Sequence, residues 1–399
     1  MQTFILKKYG KKSGILNCIP GLLIAMVIII MHPAPAVSEI QRIIPSLPET
    51  EDLNIEFNGD SLKGFCLVLD FRTPEEKKSD IERQSLSGEV ILFIHGHLQR
   101  ADDGYPLTSK LAARSKSGIV IIPVCDTPFG KKSEWRGDRG KDVILMEITR
   151  YVLSKMQISV KNYKPVTDMP VRINEQVVGE PGSTSIQAEL AVIGWSHGAL
   201  ISRRIAYAYP GSVKSLVQLA PAGFSDWGGE YCTGPACLLS NFNVESACIG
   251  LGIFRGELPY ISDAGWGITK GLFGDTGRSC SSCISGNFSF FKMFRSYKDL
   301  KDCSFYADDS DLPLPGIKYI TVVFAVDDTL FEYDDQGGIK DPVNVTREEN
   351  EHFFEKFYPA SVKSGAICTL AALPGNHIGP MVNSDAFAET ALSTIGQKR

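Results

Sequence analysis

The 399-residue chain has no sustained basic run, no internal repeat and no low-complexity tract. Its formal charge is −5, a figure that includes Lys7, Lys8, Lys11 and Lys12; without residues 1–36, 37 Lys and Arg face 46 Asp and Glu, a balance of −9. An acidic surface with no basic stripe repels a polyphosphate backbone, which excludes nucleic acid as a partner. Histidine is scarce, six in all, and no His-Glu-x-x-His occurs, so the helix that carries two zinc ligands in that motif is excluded. What remains, 43% hydrophobic and 22% charged residues, is the composition of an ordinary globular protein. The length suits one large domain or two modest ones.

Residues 1–36 have the three parts of an export signal. The four lysines form a positive n-region, Ile15 to Met31 is apolar apart from Asn17 and Pro20, and Ala34-Pro35-Ala36 supplies a small-x-small cleavage site. The reading is cleavage near Ala36 and a periplasmic or extracellular product; an uncleaved N-terminal membrane anchor is the alternative. Ten cysteines fit export. Six of them, Cys232, Cys237, Cys248, Cys280, Cys283 and Cys303, fall in one stretch and read as a disulfide framework, although six cysteines allow 15 pairings. A zinc knot built on Cys280-Ser-Ser-Cys283 with Cys232 and Cys237 is the competing reading. Cys66, Cys125 and Cys368 lie in or beside strand-like runs, and at least one of them is expected to be a buried, inert thiol.

The chain divides into the signal at 1–36, a proline-containing linker at 37–51, an alternating strand–helix region at 52–220 and 317–399, and a glycine-, serine- and cysteine-rich insertion at 221–316. Asp52 to Asn58 and Leu62 to Asp70 predict a hairpin, and residues 72–88 a charged surface loop. Val90 to Ile94 is a continuous apolar run of the kind buried on both faces of a parallel sheet. Leu107 to Lys116 predicts a helix, Gly118 to Val124 a strand, and Asp142 the cap of a helix running to about Lys155. Residues 158–187 read as an irregular insertion with two or three short strands. A strand at Val213 to Leu219 and another at Tyr319 to Val326 follow, then a helix at Arg347 to Phe357, a strand at Ala366 to Ala372 and a helix at Asp385 to Ile395. Strands alternating with helices imply a mostly parallel α/β sheet.

The chemistry centres on Gly194-Trp195-Ser196-His197-Gly198. Glu189 to Ile193 before it reads as a buried strand, and Ala199 to Tyr209 after it as a helix stopped by Pro210-Gly211. A serine between glycines on a strand-to-helix turn stands clear of the backbone, and the N-terminus of the next helix faces any negative charge formed there. With Ser196, then Asp327-Asp328 beyond a strand end, then His377 beyond the last strand, the chain resembles the α/β-hydrolases over residues 52–220 and 317–399.

That resemblance implies a central, mostly parallel sheet flanked by helices, with a lid where the cysteine-rich insertion lies. It implies a catalytic Ser196, a His377 that acts first as base and then as acid, and an Asp328 that orients the imidazole. Asp327 is the alternative acid and Asp226 a third. His95-Gly96-His97 is similar to the family's His-Gly loop, which makes the backbone N–H groups of His97 and His197 the oxyanion donors. Alternate histidines also suit a metal, but no third ligand stands at usable spacing, so no metal and no cofactor is called for. His352 reads as solvated on a charged helix.

The implied activity is hydrolysis of carboxylic esters, acyl or lipid, through an acyl-enzyme. An amidase or aminopeptidase on the same scaffold is the alternative, and a non-catalytic binding module a third. The insertion's apolar patches, Leu238-Leu239, Phe290-Phe291 and Met293-Phe294, offer either contact with a lipid substrate or surface, or a small core of their own. The sequence carries no signal of oligomeric state.

Overall fold

A computed structural model of the chain describes residues 51–57, 59–96, 104–125, 140–164, 171–178, 185–222, 224, 314–326, 328, 344–375, 377 and 379–399. Residues 1–36, where an export signal is expected, nearly all of the insertion with its six cysteines and apolar patches, His97, Asp226 and Asp327 lie outside the described residues.

The order is β1 (Glu51–Phe57), β2 (Asp60–Asp70), α1 (Pro74–Arg83), β3 (Val90–Ile94), α2 (Tyr105–Arg114), β4 (Ile119–Cys125) and α3 (Lys141–Lys155). Four short strands follow: β5 (Ile158–Val160), β6 (Arg172–Ile173), β7 (Gln176–Val177) and β8 (Ile186–Ala188). Then come β9 (Leu190–Trp195), α4 (Gly198–Ala208), β10 (Val213–Leu219), β11 (Tyr319–Ala325), α5 (Arg347–Phe357), α6 (Pro359–Lys363), β12 (Ile367–Leu373), α7 (Gly379–Val382) and α8 (Ser384–Thr394).

Among the described residues, ten strands form one sheet in the order β12-β11-β10-β9-β3-β4-β2-β1-β6-β7. The pairs from β4 through β3, β9, β10 and β11 to β12 are all parallel, whereas β2 runs against both of its neighbours. Without the two-residue strands the sheet is the mostly parallel, helix-flanked α/β-hydrolase architecture expected from the motif order. The reason is legible strand by strand. Every residue of β3, β4 and β9 is buried, as a strand covered on both faces requires. Alternation then sorts side chains between two cores: Leu190 and Val192 of β9 join one with Ile201 and Ile205 of α4, while Ala191, Ile193 and Trp195 join the other with Leu111 of α2 and Phe387 of α8.

The outer edge of β12 is partly closed by a side chain. Asn350 of α5 donates to the carbonyl of Cys368 (3.3 Å) and accepts from the N–H of Leu370 (2.7 Å), as a neighbouring strand would.

Three expectations are corrected, and two further elements are added. Residues 72–88 are not a loop, because Thr73 and Glu76 form a reciprocal capping box that starts α1. Asp142 does not cap α3: Gly140, at φ +90°, is the cap, and Asp142 lies inside the first turn, accepting from the Gly140 N–H at 3.1 Å. Residues 158–187 hold the strands β5 to β7 and part of β8, more than the two or three expected. Two short helices, α6 and α7, were not expected at all. Cys66 and Cys125 are buried, and Cys368 is a half-buried free thiol. Loss of water raises the Cys368 thiol to about 11, so it is protonated and inert at neutral pH.

At the N-terminal end of β3, on the rim opposite Ser196, Glu89 is 1% exposed. Gln397 holds it reciprocally: its amide donates to Glu89 Oε1 (2.9 Å) and its carbonyl oxygen accepts the Glu89 backbone N–H (3.0 Å). Burial first, with the charge of Glu189 adding, raises this carboxyl to about 7 against the pull of Ser215, Lys214 and Gln397. The folded protein thus binds a proton here that the unfolded chain releases near pH 4.5. Stability from this site is full below that pH and falls as pH rises towards 7, by at most about 3 kcal/mol. Glu89→Gln copies the protonated form. Its melting temperature is expected to exceed that of the wild type by a few degrees at pH 8 and to match it at pH 4, as read by thermal unfolding at both values.

Candidate active site

The site is built on the turn between β9 and α4. Ser196 has φ +56°, a left-handed conformation that costs a non-glycine residue on the order of 1–2 kcal/mol. Three backbone bonds hold it there: the Ser196 N–H donates to Leu219 O (3.0 Å), and its carbonyl accepts from Ala199 (3.0 Å) and Ala222 (3.2 Å). The flanking glycines are needed for space. A Cβ on Gly194 would lie 2.3 Å from the Gly198 carbonyl oxygen, and one on Gly198 would lie 2.2 Å from that of Ile94. The chain leaving β3 at Ile94 and His95 is therefore flush against the serine turn.

Behind the turn, the Gln218 amide (2.8 Å) and the Ser202 hydroxyl (2.7 Å) both donate to Ala199 O in the first turn of α4. The Tyr358 hydroxyl donates to Gln218 Oε1, and the Arg203 guanidinium lies 4.3 Å over the Tyr358 ring. Burial keeps the Tyr358 phenol protonated far above neutrality. This polar layer is enclosed by core, so it stiffens the helix start. The N-terminus of α4 points its dipole at the turn.

Beyond β11, Asp328 is set in a turn whose N–H donates to Ala325 O at 3.1 Å. Beyond β12, His377 stands in a loop between Gly375, at φ +135°, and Gly379. The three side chains meet. His377 Nδ1 is 2.8 Å from Asp328 Oδ2, and Nε2 is 2.8 Å from Ser196 Oγ, across 181 residues of chain. All three are 5–6% exposed. With a carboxylate at Nδ1, that nitrogen carries the proton, which leaves Nε2 as an acceptor facing the hydroxyl. The arrangement is competent for general-base activation of a serine.

Of the three aspartates named from the sequence, Asp328 touches the imidazole, and Asp327 and Asp226 lie outside the described residues. Of the two oxyanion candidates, His197 is buried at the start of α4. His95 is half-buried, and its Nδ1–H donates to Gly96 O at 2.8 Å. Loss of water, then the Lys141 ammonium, with His197 adding, lowers its imidazole to about 4, so the ring is neutral at pH 7. His352 is exposed on α5, as expected. The layer of Gln218, Tyr358 and Arg203, and the bond from Trp195 Nε1 to the backbone carbonyl of His377 at 3.1 Å, have no signature in the sequence.

No family model and no curated protein sequence matches the chain. Solved structures are similar to it at low identity. A hydrolase from Pseudomonas aeruginosa is 12% identical, with a TM-score of 0.45, covering 86% of this chain and 98% of its own. A soluble variant of monoglyceride lipase from Saccharomyces cerevisiae, bound to a substrate analogue, is 11% identical, with a TM-score of 0.44 and coverage of 90% and 98%. A membrane phospholipase A is 11% identical, with a TM-score of 0.42 and coverage of 99% and 98%. At these values the fold is read from the strand order and the site from its own distances.

Proposed function

We propose that this protein is a serine hydrolase of carboxylic esters. The observation that carries the reading is the continuous hydrogen-bonded line Ser196–His377–Asp328, with the serine held at positive φ between two glycines. In the reaction proposed, Ser196 Oγ bonds to the acyl carbon as its proton passes to His377 Nε2. The carbonyl π pair moves onto oxygen, where the N–H groups of His197 and His97 receive it, each contributing about 3 kcal/mol of barrier lowering. Collapse breaks the bond to the alcohol oxygen, which leaves with the Nε2 proton and gives an acyl-serine. Water, deprotonated by the same nitrogen, repeats the sequence and releases the acid. Asp328 carries no proton in either half: it fixes the tautomer and stabilises the imidazolium.

Acyl or lipid esters are the substrate class proposed, with the insertion at 221–316 as the lid that selects the chain. Export is proposed from the lysine-rich start, the apolar run and Ala34-Pro35-Ala36. That compartment would favour disulfides within the cysteine cluster.

The test is labelling by a fluorophosphonate followed by peptide mapping. The adduct is expected on the peptide containing Ser196, and a folded protein that takes up no label overturns the reading. Rates on p-nitrophenyl esters of rising chain length, beside the matching anilides, then fix the bond. Esters are expected to be cleaved at least a hundredfold faster; parity or a preference for the anilides makes the enzyme an amidase.

A further inference from the structure

We propose that Trp195 is a positioning residue, its indole N–H holding the backbone carbonyl of His377 and thereby aiming the imidazole at Ser196 Oγ. The proposal rests on the hydrolase reading above and assigns a role to a residue outside the triad. Trp195 is the last residue of β9, directly before the serine, and its side chain is 1% exposed in the core that also holds Leu219, Val323, Ala325 and Phe387. Its Nε1 donates to His377 O at 3.1 Å, joining points 182 residues apart. The serine turn and the histidine loop are therefore tied twice: side chain to side chain at Nε2–Oγ, and side chain to backbone at Nε1–O.

The second tie matters because of what flanks the histidine. Gly375, at φ +135°, and Gly379 stand two residues to either side, and glycine restrains the backbone least. The stiffness of the loop must then come from contacts. Asn383 supplies one at the loop entrance, donating to Pro374 O at 3.1 Å. Trp195 supplies one at His377 itself. Fixing that carbonyl fixes the peptide plane following His377, and with it the direction of the Cα–Cβ bond that carries the ring. A buried indole N–H needs an acceptor somewhere; here it is the carbonyl of the proposed base, and the donor sits on the residue next to the proposed nucleophile. A displacement of about 1 Å at the base lowers turnover by around a hundredfold. The indole lies in the core beneath the site, so substrate binding is not expected to sense its loss.

The experiment replaces the N–H while keeping the ring. Trp195→Phe removes the donor with some loss of volume; β-(3-benzothienyl)alanine placed at 195 removes it with almost none and remains usable if the phenylalanine variant folds poorly. On a p-nitrophenyl ester, kcat is expected to fall about 10- to 100-fold with KM within threefold. Amide hydrogen exchange in the peptide spanning 374–383 is expected to rise at least tenfold, with β12 unchanged. A kcat within twofold of wild type in the benzothienyl variant, a loss carried by KM, or unchanged exchange in 374–383 overturns the proposal. Wild-type protein with neither label nor esterase activity overturns the function reading instead, and the exchange measurement then still decides whether Trp195 pins the loop.

Discussion

Ser196→Ala is expected to lower kcat on a p-nitrophenyl ester by at least about 10⁴-fold, Asp328→Asn by nearly as much, and the double variant by no more than the alanine alone. The physical reason lies in the chain of bonds. His377 meets Asp328 through Nδ1 and Ser196 through Nε2, both at 2.8 Å. An asparagine fits the volume of Asp328 but presents either a carbonyl or an amide to Nδ1. When it presents the amide, the ring proton moves to Nε2 and the base can no longer accept from the hydroxyl. When it presents the carbonyl, the tautomer survives, but the imidazolium formed in each step faces no negative charge. In the first case the serine loses its proton acceptor, in the second the protonated base loses its stabilising charge, and the three groups fail as a unit rather than by increments. The melting temperature of Asp328→Asn is expected to stay within a few degrees of the wild type, which separates chemistry from folding. Asp327→Asn is the comparison. It is expected to keep activity within threefold, and a reversal of the two results would move the acid to Asp327.

The core of the fold was legible because its strands are apolar runs with no polar interruption, and the site because its chemistry follows strand ends. Val90 to Ile94 reads as a doubly covered strand and is one, every residue buried. His377 was picked out of six histidines by its place after the last strand, and it is the one that reaches Ser196. What escaped did so for identifiable reasons. The helix at Pro74–Arg83 has almost no apolar face, so hydrophobic periodicity was silent, although Thr73 and Glu76 spelled a capping box. Asp142 looked like a cap because aspartate prefers that position, whereas a glycine with φ +90° takes it. The Trp195 bond left no trace because its acceptor is a backbone carbonyl, which every residue has. Gln218 and Tyr358 are similar: their partners are set by the packing of β10 against α4 and by where the chain leaves α5, which is fixed only once the sheet order is known.

Gly198→Ala offers a case in which two physical effects predict opposite signs. Gly198 is the first residue of α4, and helix propensity alone favours alanine there by about 1 kcal/mol. The collision says otherwise. An added Cβ would stand 2.2 Å from Ile94 O, 2.6 Å from His95 O and 2.8 Å from Ile94 C. These are backbone atoms at the end of a buried central strand, paired in parallel with β4 on one side and β9 on the other, so they have no room to yield. The helix start must move instead, and overpacking of this kind costs roughly 1–3 kcal/mol, which outweighs the propensity gain. The motion carries His197 N–H and Ser196 away from an imidazole anchored on other elements. A shift of about 1 Å there is worth around a hundredfold in turnover. The expected result is a kcat lowered about 100- to 1,000-fold together with a melting temperature lowered by several degrees. Gly365→Ala is the control, since Gly365 has φ +84° with nothing within 4 Å of an added Cβ. It should show the backbone penalty of about 1 kcal/mol and full activity. A Gly198→Ala protein as stable and as fast as the wild type would mean that β3 and the serine turn are not in contact, and the proposed oxyanion loop would then have no claim to the site.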